Sequence, residues 1–429
     1  MLDIKFIRQN PEVVKDAVAK KRLNFDVDKL LAVDERRRHV LQEFENLKAE
    51  QNKKSSGKVS LEEIAKLKEI KEKIKVLQAE LDLVEKEFAE LMHGVPNIPT
   101  DDTPLGQTEN DNVVAKKVGK PKKFGFQPKN HWDIALEHDL IDKERGAKIA
   151  GARFAYIKGD LVRLQLAVIQ FTVDQLTNPK VIKKITKDNK LNVSDKPFVL
   201  VLPPAMIKTD VYKATARLNQ QEVTYKLEDD DLWLNASAEH SLCPMYQNEI
   251  LEEAQLPIRY LGYTTAFRRE AGTYGKDTEG IFRMHQFDKL ELESFSVKDN
   301  AYDEHLFFVA IQEYLMKQLD ISYHVLLKCT ADIGFANARG VDIEAWLPGQ
   351  NKYRETHTAD FMTDFQARRL NTRVRRTNGE LELVNTNDAT AFAMSRTLIA
   401  ILENYQTENG RVQIPKVLQK YMGGIKEIK

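Results

Sequence analysis

The stretch 266–295, AFRREAGTYGKDTEGIFRMHQFDKLELESF, sets three arginines and six carboxylates among aromatic and apolar residues. Period-two alternation places Arg283, His285, Phe287, Lys289 and Glu291 on one face of a strand, and Met284, Gln286, Asp288 and Leu290 on the other. On the arm before it, Arg268 and Glu270 share a face, and a loop carrying Gly272, Gly275 and Gly280 is long enough to fold over a ligand. One face of this hairpin thus offers two guanidiniums, an aromatic ring and two carboxylates. Guanidinium forks match phosphate oxygens bidentately and stack on a purine. A carboxylate accepts from an adenine amino group or an ammonium. A cross-strand salt-bridge ladder on a solvated sheet would use the same residues, so the hairpin alone leaves both readings open.

Working outward, three further stretches bear on the choice. LNASAEH (234–240) sets Ser237 and Glu239 two apart on a strand-like run, so a hydroxyl and a carboxylate face the same way. NKYRETHTADFMTDFQARRL (351–370) brings Glu355 and Thr358 close together, oxygen donors suited to a hard cation such as Mg²⁺. VNTNDATAFAMSRTLIAILENYQ (384–406) is a polar turn running into a small-residue helix with Arg396 near its start. Each has a bland explanation as a turn, a cap or a helix-face arginine. Together they supply an apparatus for nucleotide phosphates, a metal and an amino acid.

The first hundred residues have a different grammar. Leu30, Val33, Arg37, Val40, Phe44 and Leu47 recur at steps of three and four. The pattern breaks at NKKSSGKVS and restarts as Leu67, Ile70, Ile74, Leu77, Leu81, Val84, Phe88 and Leu91. Two such seams predict an antiparallel helical hairpin, with Ser60 and Glu63 as a capping box for its second helix. Basic residues gather on it, Arg36, Arg37, Lys53, Lys54, Lys58, Lys66 and Lys73 among them. They fit either a solvated coiled-coil surface or phosphate contact. Beyond residue 123, helical stretches alternate with short β-rich runs such as FVLVLPP, PIRYLGYTTAF and YHVLLKCT, the pattern of an antiparallel sheet with packed helices.

Composition narrows the class. The chain has 429 residues, 42% of them hydrophobic, and 65 basic residues balance 65 acidic ones. It is long enough for two or more domains, and nucleic-acid affinity must come from a local patch. Cys243 and Cys329 form neither a metal-ligand spacing nor a disulfide framework. With no apolar run at the N-terminus and none near the roughly 20 residues of a membrane span, the expectation is a soluble, cytoplasmic protein.

The motifs, taken in order, resemble those of the bacterial-type seryl-tRNA synthetase family of class II aminoacyl-tRNA synthetases along essentially the whole chain. FRREAG…RMHQFDKLE is similar to class II motif 2, FVLVLPPAM to motif 1 and DATAFAMSRTLIAILENYQ to motif 3. YKLEDDDLWLNASAE, WLPGQNKYRE, DFQARRLNTR and IPKVLQKYMGG are similar to hallmarks of this particular synthetase. The resemblance implies an α+β protein: a helical tRNA-binding arm over 1–98, a linker over 99–123, and a catalytic domain over 124–429.

It also implies site roles. Catalysis would fall to Arg268, Arg283 and Arg396. ATP would be held by these with Arg269, Glu270, Met284, Phe287, Glu355, Thr356, His357 and Thr358, and Mg²⁺ by Glu355 and Thr358. Ser237, Ala238, Glu239, Arg268, Glu291, Asp388 and Thr390 would bind serine. Arg36, Arg37, Lys53, Lys54, Lys58, Lys66 and Lys73 would bind tRNA(Ser), with tRNA(Sec) a second candidate substrate, and a homodimer is implied by motif 1. The chain departs from the family pattern at Ser237, at His357 and Asp360, at Arg269, at Ser395, and in a motif 3 turn that reads Asp388-Ala389-Thr390-Ala391. Two other readings stay open here: a catalytically dead synthetase-like nucleic-acid-binding protein, and a class II paralogue that loads an amino acid onto a carrier protein.

Overall fold

The computed structural model describes residues 1–55, 61–218, 224–270 and 280–429. Lys58, the Ser60–Glu63 capping box, and Gly272 and Gly275 of the hairpin loop lie outside the described residues or side chains. Two compact units emerge, Met1–Ile98 and Pro99–Lys429.

The first unit is helical: α1 (Ile4–Gln9), α2 (Pro11–Lys20), α3 (Val27–Ser55) and α4 (Leu61–Gly94). The last two have 29 and 34 residues, so the longer spans about 50 Å. They are antiparallel, as the ion pairs Lys29–Glu87 and Arg36–Glu80 show by running oppositely along the two helices. Val40, Phe44 and Leu81 close the seam, flanked by Leu41, Ile74 and Leu77. Arg37, in a seam position, lays its guanidinium 4.7 Å from the Phe88 ring centroid. Its stem and plane therefore do the work of an apolar knob while the charge stays near Glu85.

The second unit is built on an eight-stranded sheet. In chain order its strands are β1 (Val113–Val118), β2 (Val199–Val201), β3 (Ile258–Phe267), β4 (Gln286–Ser296), β5 (Tyr323–Leu327), β6 (Arg339–Leu347), β7 (Lys352–Thr363) and β8 (Asn385–Ala393). The spatial order is β1-β5-β6-β7-β8-β4-β3-β2, antiparallel except for the parallel edge pair β2–β3. The stretch 99–123, read from sequence as a linker, belongs to this unit, because its central residues 113–118 pair with Tyr323–Leu327 as an edge strand. Proline, aspartate and lysine around that strand mask a short exposed edge in the sequence. Helices α5 (Asp160–Leu176), α6 (Ala301–Gln318) and α7 (Met394–Tyr405) share one large core with the sheet. No described helix is long and apolar enough to cross a membrane.

Buried histidines give this unit an acid-sensitive point. His305 on α6 is fully buried, and its Nε2 accepts from Arg339 Nη1 at 2.9 Å. Burial, then the Arg339 charge, pushes its pKa down to about 3. The folded state therefore leaves His305 neutral where the unfolded chain, titrating near 6.5, takes up a proton. A group with a depressed folded pKa and a neutral base form loses stability as pH falls, from about 6.5 toward 3. We expect the thermal midpoint to drop between pH 6.5 and 5 by the equivalent of about 2 kcal/mol for this group. The variant His305→Gln, which keeps an acceptor, is expected to show a shallower midpoint-versus-pH slope; an unchanged slope would count against this account.

Candidate active site

A cleft opens over β4, β7 and β8 and the start of α7. The hairpin that opened the sequence reading forms one wall, with β3 and β4 paired from Ile258–Phe295 to Phe267–Gln286. Pairing continues one step further, since Arg268 N donates to His285 O at 2.9 Å and His285 Nδ1 donates to Arg268 O at 2.7 Å. Strand β4 begins only at Gln286, so Arg283 and His285 precede the strand and do not follow its alternation. Phe287, Lys289 and Glu291 do. His285 is a fastener of the turn, packed 5.3 Å from Phe154.

Arg268 lines the cleft with its guanidinium carbon 5.3 Å from the Phe287 ring centroid, and its Nε donates to Ala236 O at 3.2 Å. Arg283 Nη1 donates to Glu270 Oε2 at 3.2 Å, and Glu270 holds a left-handed φ of 50°, a conformation that costs a non-glycine residue energy. Met284 borders the same cleft. Arg269 lies elsewhere: it sits 5.9 Å from the Tyr225 ring centroid and does not line the cleft.

The opposite wall depends on two bulges. On a regular strand, Glu355 and Thr358 would face opposite sides, three residues being an odd number of steps. The register between β6 and β7 slips at this point, with Glu344 facing Glu355 but Ile343 facing His357, so Thr356 is the extra residue. The bulge turns the strand by one residue and brings Glu355, Thr356 and Thr358 to one cleft. A second slip, between Thr390 and Phe392, does the same for Thr390 and Ala393 on β8. One side chain supports both strands here: buried Gln312 of α6 donates from Nε2 to Thr358 O at 2.7 Å and to Thr390 O at 2.9 Å.

Arg396, in the first turn of α7, donates from Nη1 to Glu355 Oε1 at 2.8 Å and lies 4.8 Å from the Phe282 ring centroid. Burial in the cleft pushes the Glu355 carboxyl up, but Arg396 and then Lys328 outweigh it and hold the pKa down at about 2. The carboxylate is thus ionised, which its half-open side chain also favours. The Thr356 hydroxyl turns away and donates to Ile343 O at 3.1 Å. His357 lies buried behind the cleft, 5.3 Å from Phe392, with burial pushing its pKa down to about 3. As a side chain it is part of the core and not of the cleft, because the bulge sends it to the far face.

Ser237, Ala238, Glu239, Glu291 and Asp388 gather in a buried cluster. Gly262 on β3 makes room for it, since a Cβ there would meet Leu242 Cδ1 at 2.7 Å and Ala238 Cβ at 2.9 Å. The short helix Glu239–Leu242 therefore packs directly on the strand. Lys289 joins cleft and cluster: it lines the cleft and its Nζ donates to Ser237 Oγ at 3.0 Å and to Glu291 Oε1 at 2.5 Å. Glu239 N donates to Glu291 Oε2 at 3.4 Å.

Sequence reasoning left two residues of this cluster off its candidate site. Lys289 was visible on the β4 face but was given no role. Arg217 gave no signal at all, coming from an irregular stretch outside every motif. Its Nε donates to Glu239 Oε1 at 2.6 Å and its Nη2 to Asp388 Oδ1 at 3.0 Å.

A sheet of antiparallel strands with an arginine-rich cleft on motif 2 and motif 3 elements is the arrangement of a class II aminoacyl-tRNA synthetase, and residues 224–405 match the class II core domain shared by the G, H, P, S and T enzymes. Residues 1–99 match the seryl-tRNA synthetase N-terminal domain. The chain is 38% identical to the serine–tRNA ligase of Symbiobacterium thermophilum, over 98% of each chain. It is 39% identical to that of Dictyoglomus turgidum, over 100% of this chain and 99% of the relative. Among solved structures it is similar to the Pyrococcus horikoshii seryl-tRNA synthetase complexed with ATP, at TM-score 0.89 and 38% identity over 100% and 99% of the two chains. It is also similar to the Naegleria fowleri cytoplasmic enzyme in complex with AMP, at TM-score 0.85 and 30% identity over the same shares. The chain belongs to the seryl-tRNA synthetase family.

Proposed function

We propose that the chain joins L-serine to the 3′ end of tRNA(Ser) in two steps, with ATP bound in the cleft lined by Arg268, Phe287 and Glu355 and serine at the buried Ser237–Glu239–Glu291 cluster. The observation that supports this reading is Lys289, which lines the cleft and whose ammonium donates to Ser237 and Glu291 of the buried cluster. In the first step the serine carboxylate attacks the α-phosphorus, the bond to the β-phosphate oxygen breaks, and pyrophosphate leaves. A carboxylate is already a nucleophile, so this step asks for alignment and neutralisation of charge, not a general base. Arg268 and Arg283 would bind phosphate oxygens, Phe287 would stack on adenine and Glu270 would accept from its amino group. Arg396 would leave Glu355 to reach the nucleotide. Glu239 would hold the serine ammonium, while Glu291 and Thr390 would meet its hydroxyl. In the second step a ribose hydroxyl of the terminal adenosine attacks the mixed anhydride and AMP leaves.

Mg²⁺ fits the wall formed by Glu355 and Thr358, because one ionised carboxylate and a hydroxyl beside the substrate phosphates form an oxygen donor set suited to that ion. Bound there it would neutralise phosphate charge. Serine-dependent ATP–pyrophosphate exchange followed by aminoacylation of bulk tRNA tests the whole reading. Exchange with another amino acid in place of serine, or no exchange, would sink it.

The helical arm would grip tRNA by phosphate contacts, and a tRNA of the same shape, tRNA(Sec) included, would be charged alike. Lys53, Lys54, Lys66 and Lys73 are exposed on it. Arg36 pairs with Glu80 at 2.7 Å and Arg37 is half-buried in the seam, so these two are the weaker contacts. The double variant Lys53→Glu/Lys54→Glu is expected to raise the KM for tRNA about tenfold and to leave exchange unchanged. Equal loss of both activities would contradict this. A dimer formed through the exposed edge strand β2, with Val199 58% and Leu200 47% exposed, would sediment at twice the 49.3 kDa of one chain; a monomer would refute it.

A further inference from the structure

Three buried carboxylates stand side by side across the sheet. Asp360 of β7 faces Asp388 of β8, and Asp388 faces Glu293 of β4. Like charges directly opposite on neighbouring strands repel, and in a dry interior the penalty grows. Burial, with Asp388 next, pushes the Glu293 carboxyl well above the usual carboxylate range. Burial, with Glu239 next, does the same to Asp388.

Among the described residues, the cation that meets this row with ion pairs is Arg217, which lies outside the sheet. Its Nη2 is 3.0 Å from Asp388 Oδ1 and 3.6 Å from Asp360 Oδ2. Its Nε donates to Glu239 Oε1 at 2.6 Å, and its Nη1 donates to Asn337 Oδ1 at 3.2 Å. Gln366 adds a second donor to the same Glu239 oxygen at 2.8 Å and reaches Thr215 O at 3.1 Å, so it also steadies the backbone two residues before Arg217. Burial raises the Glu239 pKa, yet Arg217 outweighs it and holds the group ionised. A planar fork engaged at three points fixes a carboxylate in a way that a single ammonium does not.

We propose that Arg217 is a positioning residue for amino-acid binding: by tying Glu239 to the Asp388–Asp360 pair it holds the Glu239 carboxylate in the orientation that receives the substrate ammonium. This rests on the assignment of Glu239 as the ammonium contact. The acidic row is then the anchor of the guanidinium, and the guanidinium is the anchor of the binding carboxylate. The energetic argument is preorganisation. A Glu239 side chain already immobilised in the free enzyme does not have to be ordered when serine arrives.

The test is steady-state ATP–pyrophosphate exchange with serine, varied separately in serine and in ATP, on Arg217→Met and Arg217→Lys. Arg217→Met is expected to raise the KM for serine about 10- to 100-fold and to leave the KM for ATP within about twofold. Arg217→Lys, which keeps the charge and loses the fork, falls between, and carries the test alone if Arg217→Met does not fold. The double variant Arg217→Met/Asp388→Asn is expected to regain thermal stability without regaining serine affinity, since the cost of burying a carboxyl that has lost its cation is removed while Glu239 stays untethered. Equal rises in both KM values, an unchanged KM for serine, or full recovery of serine affinity in the double variant would overturn the proposal. Absence of serine-dependent exchange in the unaltered protein would instead overturn the serine-activation reading.

Discussion

Arg268→Ala is expected to lower serine-dependent ATP–pyrophosphate exchange by about 10³-fold, with the main loss in kcat/KM for both substrates. The geometry argues for so large a change. Arg268 Nε is committed to Ala236 O, two residues before Ala238 and the Glu239 helix, and its guanidinium lies over the Phe287 ring. One side chain therefore ties the backbone beside the Ser237–Glu239 cluster to the aromatic ring of the cleft. On the proposed assignment its remaining nitrogens would meet the substrate carboxylate and phosphate, both negatively charged. Bringing those two anions together without a cation is the principal obstacle to the reaction, and a preorganised charge in a water-poor cleft is worth far more than one in solvent. Arg268→Lys should recover only a small part, because an ammonium cannot reach both and keep the stacking contact. The protein should still fold, since Arg268 makes no buried ion pair among the described residues. Exchange retained within tenfold in Arg268→Ala would remove this residue from the catalytic apparatus.

Which parts of this site were readable in the sequence follows from how each part is encoded. The seam of the helical arm was legible because a 3-4 repeat survives over many turns, and even Arg37 fell into register through its stem. The motif 2 residues on β4 were legible because period-two alternation holds along a regular strand, which is why Phe287, Lys289 and Glu291 share a face. Reading failed where the backbone leaves regularity. Arg283 and His285 precede the strand. His357 was placed with the nucleotide by the resemblance alone, and no residue marks the bulge at Thr356 that turns it away, since that bulge is a property of how β6 and β7 register. That same bulge is what lets Glu355 and Thr358 share a wall, so their pairing in the sequence had no strand-level reason. The strand 113–118 hid inside an apparent linker because an edge strand needs few apolar residues. Arg217 is the extreme case. Its importance is set by three acids brought together by cross-strand pairing, and cross-strand neighbours are far apart in the chain.

Glu239→Gln is the second change with a large expected effect. It should raise the KM for serine by 10²-fold or more while the KM for ATP stays within about twofold. The carboxylate is 3% exposed and carries its charge into the interior because Arg217 and Gln366 both donate to Oε1. Glutamine can keep that oxygen as an acceptor for both donors, so the packing survives and the variant isolates the charge. What it would lose, on the proposed assignment, is the counter-ion of the substrate ammonium. What it adds is an amide NH₂ group pointed at a cation, at a place where water cannot intervene. Losing an ion pair in such a site costs about 3–5 kcal/mol, which sets the expected 10²- to 10³-fold change. The Arg217 guanidinium, left with Asp388 and Asp360 as its acidic partners, should hold the row together, so a thermal midpoint close to that of the unaltered protein is expected. A large fall in midpoint with an unchanged KM for serine would show that Glu239 serves the buried network alone, and the ammonium would then have to be sought at Glu291.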